Sequence, residues 1–207
     1  MDFLPEQEIN DLLHEFGIAT TQEGDDCVLL EMRKDRADVR DCLCTDGESC
    51  DSGWDCKKVD ADTLVTAAIE GVRKIHQGQI VLLPCGKWRS VFDAVAFSMA
   101  EDELWQEFDA SATIKLNTRD PLLFESGDEQ ILASLLTALM NDGESQEQSV
   151  FLISAGAPIL VHLRPGGPVK LWFGNSVLAD EVREHCLVNL CHEKKQIPGL
   201  KKKPFQG

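Results

Sequence analysis

SVFLISAGAPILVHLRPGGPVKLWF, residues Ser149 to Phe173, is the most strongly patterned part of this 207-residue chain. Three apolar runs, at roughly 149–154, 157–164 and 169–173, are separated by Ala155-Gly156 and by Pro165-Gly166-Gly167-Pro168. Period-two runs rich in β-branched and aromatic residues, bounded by Gly and Pro, read as strands joined by tight turns. The pattern predicts a three-stranded antiparallel meander. A two-residue first turn sets Leu152 opposite Ile159 and Val150 opposite Val161. The second turn sets Val161 opposite Phe173 and Leu163 opposite Leu171. One face of the meander is then wholly apolar. The other carries Phe151, Ile153, Leu160, His162, Arg164, Lys170 and Trp172, and His162 faces Trp172 between the two cations.

Upstream, helical and extended patterns alternate. Ile9, Leu12, Leu13 and Phe16 recur at helical spacing after Pro5, and Gly17 suits the left-handed position that closes such a helix. Cys27 to Met32 reads as a strand. A second helix carries Leu64, Val65, Ala68, Ile69, Val72 and Ile75, and Gln79–Leu83 reads as a buried strand. Trp88, Val91, Phe92, Val95 and Met99 follow at helical spacing. Thr113–Asn117 and Leu122–Phe124 read as short strands. Ser126 and Glu129 have capping-box spacing ahead of a helix with Ile131, Leu132, Leu135, Leu136 and Leu139. Asn175 or Ser176 opens a last helix to about Leu187. This order predicts an α+β fold: a mainly antiparallel sheet ending in the meander, packed by helices on one face. Residues 1–190 form one domain on this reading, and 191–207 a flexible basic tail.

The charge balance excludes some partners. The chain has 20 basic and 36 acidic residues, and five of its lysines lie in the last fourteen residues. Residues 1–193 therefore hold 15 basic against 36 acidic groups, a balance that repels phosphate backbones and anionic lipid. The expectation is no nucleic acid and no membrane. No apolar run approaches the roughly 20 residues of a membrane-crossing helix. The start, Met-Asp-Phe-Leu-Pro-Glu, lacks the basic and apolar regions of a signal peptide, so a cytoplasmic location is expected.

Between the first long strand and the second helix, residues 33–60 turn polar and cysteine-rich. Cys42, Cys44, Cys50 and Cys56 are spaced C-x-C-x5-C-x5-C among Asp41, Asp46, Glu48, Asp51 and Asp55. Four thiolates satisfy a tetrahedral zinc, and metal would organise a loop with almost no core of its own. The paired C-x2-C spacing of common zinc knuckles is missing, so free thiols and disulfides stand beside zinc as readings. Near the carboxyl end, Cys186-x4-Cys191-His192 adds ligand types that could complete such a site. Cys85, between a strand and a helix and close to Lys87 and Arg89, is the candidate nucleophile. A thiol at a helix N-terminus has its thiolate favoured by the dipole. His76, His162 and His185 are the candidate bases.

One segment resembles a known family. Leu4-Pro-Glu-Gln-Glu-Ile-Asn-Asp-Leu-Leu13 is similar to the amino-terminal segment of flagellar switch proteins that docks the chemotaxis response regulator, Leu-Ser-Gln-x-Glu-Ile-Asp-x-Leu-Leu. The similarity covers about ten residues, Pro5 replaces the Ser, and it does not extend downstream, so it assigns no family to the chain.

The function these residues support is non-enzymatic binding or regulation, with another protein or a second copy of the chain as partner. Its surfaces are His162, Arg164, Lys170 and Trp172, and the cysteine-rich loop. The alternatives are a zinc protein built on Cys42, Cys44, Cys50 and Cys56, and a thiol enzyme using Cys85.

Overall fold

The computed structural model describes residues 1–24, 27–33, 39–43, 54–56, 60–74, 78–103, 105–106, 108, 113–167, 169–182, 184 and 191–193. Strands are β1 Asp2–Phe3, β2 Ile18–Glu23, β3 Cys27–Met32, β4 Val39–Leu43, β5 Trp54–Cys56, β6 Ile80–Pro84, β7 Leu122–Phe124, β8 Val150–Ser154, β9 Ile159–Leu163, β10 Val169–Phe173 and β11 Cys191–Glu193. Helices are α1 Glu6–Glu15, α2 Ala61–Lys74, α3 Trp88–Val95, α4 Glu129–Asp142 and α5 Ser176–Val182. The fold is α+β. Among the described residues the main sheet has seven strands in the order β1-β7-β6-β8-β9-β10-β4, and every neighbouring pair is antiparallel.

The meander is present, but both registers differ from expectation by two residues. Val150 pairs with Leu163 and Leu152 with Val161, because the first turn spans four residues rather than two. Pro158 has no amide to give the ladder, so β9 starts at Ile159 and the hairpin centre moves by one residue. In the second hairpin Leu171 pairs with Val161 and Phe173 with Ile159. Its turn is closed by the Gly167 amide on the Arg164 carbonyl at 3.0 Å, with Pro165 at the first central position and Gly166 at φ +64° at the second. That is a type II turn, which needs glycine there. His162 therefore faces Lys170, not Trp172, and Trp172 faces Leu160. A shift of two keeps every side chain on its predicted face.

The apolar face is the main core. Leu82, Leu122, Phe124, Leu152, Val161 and Leu171 bury against the apolar stripes of α2, α3, α4 and α5. The cap of α2 is Asp60, whose side chain accepts the Thr63 amide at 2.8 Å. For α4 the N-cap is Asp128 rather than Ser126, and it holds the Met1 ammonium at 3.0 Å and the Glu125 amide at 2.9 Å. The capping box occurs instead at Ser145 and Gln148, around a short 3-10 turn. Thr113–Lys115 is a 3-10 turn and not a strand; the Leu116 and Thr118 carbonyls accept the first amides of α3, a role that a paired strand would forbid.

The opposite face is also covered, by α1 and the β2–β3 hairpin. Ile9, Leu13, Ile18, Leu30 and Met32 pack on Val81, Phe151, Ile153, Leu160 and Trp172 as a second core. Gly17 closes α1 at φ +66° with its amide on the His14 carbonyl, as its sequence position predicts. The apolar residues of the switch-like segment, Ile9 and Leu13, are thus spent inside this chain. Cys191–Glu193, read as the start of the tail, pair with β5. No described helix is long and apolar enough to cross a membrane.

Candidate ligand-binding site

The second layer is attached to the sheet at its two ends. At one end the Val28 amide bonds the Cys85 carbonyl at 2.9 Å, tying β3 to the exit of β6. At the other, β1 pairs with β7 and the Leu4 amide bonds the Pro121 carbonyl at 2.8 Å, which sets the start of α1. Between these attachments a cavity of about 330 Å³ remains. Ile9 and Leu13 of α1, Leu30 of β3 and Phe151 of β8 are its buried apolar wall. Asn10 and Thr20, both exposed, mark its rim. Leu83, Pro84, Arg119, Asp120 and Pro121 close the remaining side.

That side is well held. The Asp120 carboxylate takes the Lys115 ammonium at 2.5 Å, and the Asp120 carbonyl accepts Nε1 of buried Trp88 at 2.7 Å. Lys115 in turn lies 5.9 Å from the centre of the Phe3 ring. The carboxylate is thus neutralised from outside the cavity. Half-buried Arg119 is the cation among the lining groups.

The back of the wall is polar in an unusual way. Phe151 stacks on His162 with ring centroids 4.4 Å apart and planes inclined by 14°. His162 is only 8% exposed, and burial, with help from the charges of Lys170 and Arg164, pushes its imidazole down to about 4. It is neutral at pH 7. Its Nε2 and the Nε1 of Trp172 are both buried without a hydrogen-bond partner. Of the four residues of the predicted binding face, then, His162 and Trp172 lie under the second layer, while Arg164 and Lys170 are exposed at its border.

Cys85 lies elsewhere than the sequence suggests. Helix α3 starts at Trp88, and the Cys85 amide is used by the Ser149 carbonyl at 2.8 Å, so the thiol gains nothing from that helix end. It is 0% exposed, and burial together with the adjacent Cys27 thiol pushes it up to about 12. In this position it is a protonated core residue. Of the cysteine cluster, Cys42 lies in β4 and Cys56 in β5; Cys44 and Cys50 lie outside the described residues, as do His76, His185 and Cys186.

No protein-family model, curated protein or solved structure matches this chain. The site therefore stands on its own chemistry. Arg119, Asp120, Asn10 and Thr20 were not singled out by sequence. They come from three distant segments, and no spacing rule connects them.

Proposed function

We propose that this chain is a non-enzymatic binding protein of the cytoplasm that takes a small amphipathic molecule in the cavity beneath α1 and the β2–β3 hairpin. The observation that carries this reading is the cavity itself. Its volume of about 330 Å³ falls in the range of roughly 300–1,000 Å³ of small-molecule sites. An apolar wall with a few convergent polar groups is the usual composition of such sites. The apolar part of the ligand fits between Leu13, Leu30 and Phe151. A carboxylate or sulfonate end fits at Arg119, where the guanidinium offers a planar donor fork.

The test is native mass spectrometry of the purified chain mixed with a panel of small apolar acids. Val28 also lines the cavity, and saturable one-to-one complexes that vanish in Val28→Trp, whose larger side chain fills it, are the expected result. Equal binding by Val28→Trp, or no complex with any acid, contradicts the reading.

A protein partner or second copy draws on a different observation: Phe97, just past α3, is 94% exposed. Ile114 and Val177 are exposed as well. Single exposed apolar groups are common on monomers, so this reading ranks second. Concentration-independent monomer mass by light scattering sets it aside; a dimer broken by Phe97→Ser favours it.

A further inference from the structure

Two thiols meet where the second layer joins the sheet. Cys27 opens β3, and Cys85 directly follows β6, 58 positions later in the chain. Both are free, and both belong to the second core. The Val28 amide donates to the Cys85 carbonyl at 2.9 Å, so the two backbones run side by side at this point. The thiols themselves are in hydrogen-bond contact. A disulfide between them needs the sulfurs to close to about 2 Å, a short movement from that contact.

The surroundings treat the two thiols differently. Cys85 is 0% exposed and firmly held, its amide on the Ser149 carbonyl at 2.8 Å and the next amide, of Gly86, on the Glu147 carbonyl at 3.0 Å. Burial first, and the Cys27 thiol after it, push Cys85 up to about 12, which protects it from direct attack. Cys27 is 7% exposed and sits at the end of the hairpin, opposite Glu23. A small reagent therefore meets Cys27 first. Alone, Cys85 is an inert core residue; beside a thiol that solvent touches, it is placed to resolve what forms there.

We propose that Cys27 and Cys85 are a thiol pair that a small hydroperoxide closes to an intramolecular disulfide, stapling the β2–β3 hairpin to the sheet. The Cys27 sulfur attacks one peroxide oxygen; an S–O bond forms, the O–O bond breaks, and the other oxygen leaves with the thiol proton, as water when the oxidant is hydrogen peroxide. The Cys85 sulfur then attacks the Cys27 sulfur. An S–S bond replaces the S–O bond, and the hydroxyl leaves as water with the Cys85 proton. The two thiols lose two electrons and the peroxide gains them. Val28, next to Cys27, lines the cavity, so the staple also fixes one cavity wall to the exit of β6. The pair closes whether or not the cavity takes a ligand.

The test is treatment of the reduced full chain with a few equivalents of hydrogen peroxide, then N-ethylmaleimide and peptide mapping without reductant. A Cys27–Cys85 linked peptide from monomeric chain is expected. The melting temperature should rise by roughly 5–15 °C over the reduced chain, and dithiothreitol should reverse both changes. In Cys85→Ala, dimedone, which labels sulfenic acids, should mark Cys27, a label that the wild type loses by closing the pair. In Cys27→Ala, Cys85 should stay a thiol under the same treatment, and this readout stands even if Cys85→Ala fails to fold. The proposal is overturned if peroxide yields no linked peptide, if the link forms only in urea, or if Cys85 of Cys27→Ala is oxidised as readily as in the wild type. A linked chain that melts below the reduced one overturns it equally.

Discussion

The two faces of the main sheet are both buried, yet they are closed by different means. On one face, α2, α3, α4 and α5 lay continuous apolar stripes over strand residues that are almost all Leu, Val, Ile or Phe. On the other, a single helix and a two-stranded hairpin cover a smaller apolar set. That second closure leaves a cavity and two ring nitrogens without partners. The first face is what a stable fold requires. The second tolerates unmet polar groups and empty volume, both of which cost stability. Imperfect packing beside a well-filled core is a usual signature of a working site.

The contrast should show most strongly in truncations. Phe124→Ala, inside the helix-covered core, should destabilise by about 3–5 kcal/mol. Leu30→Ala already borders empty space and should cost nearer the low end of the Leu→Ala range, about 2–3 kcal/mol. Urea unfolding of both variants measures this. Equal losses would mean that the second layer packs as tightly as the first.

Next in size is a pH effect. The imidazole of His162 is lowered from 6.5 to about 4, by burial first and by Lys170 and Arg164 after it. Unfolding therefore takes up a proton between those values. The stability associated with neutral His162 is complete above pH 6.5 and declines as the pH falls through the window toward 4. The shift corresponds to about 3 kcal/mol at the low-pH end. Comparing wild type with His162→Phe across pH 8 to 4 isolates this from the carboxylates. Parallel curves would show that His162 titrates normally and that its cover is open.

Smaller effects follow at the two polar ends of the site. Arg119→Gln should weaken the binding of an anionic probe about 10-fold, the loss of one charge-assisted hydrogen bond, and leave a neutral probe unchanged. At pH 8, His162→Phe should be neutral or stabilise by up to about 1 kcal/mol, because it removes a buried unpaired nitrogen and keeps a ring on Phe151. A clear loss there would mean that Nε2 has a partner in solution.

Much of the first face is legible in the chain, because helix stripes such as Leu64, Ala68 and Val72 and the alternation of Val150, Leu152 and Val161 are local patterns. Register was not, since it hung on how Pro158 and Gly166 use the turns. Strand β2 was missed: Thr20, Thr21, Gln22 and Glu23 are exposed and carry no apolar period. Without β2 there was no hairpin to place over Trp172, so the mixed face looked like a free surface. The cavity was invisible for the same reason. Its polar groups are set by how α1, the hairpin and the 116–121 segment meet, which is tertiary geometry.

The most direct test of the cavity reading is a fluorescence titration with 1-anilinonaphthalene-8-sulfonate, an aromatic probe with one anionic end, on folded wild type and on Val28→Trp. Saturable binding of one probe per chain, abolished by Val28→Trp at unchanged melting temperature, is the predicted result. Weak, non-saturable binding that is identical in the two proteins would contradict it.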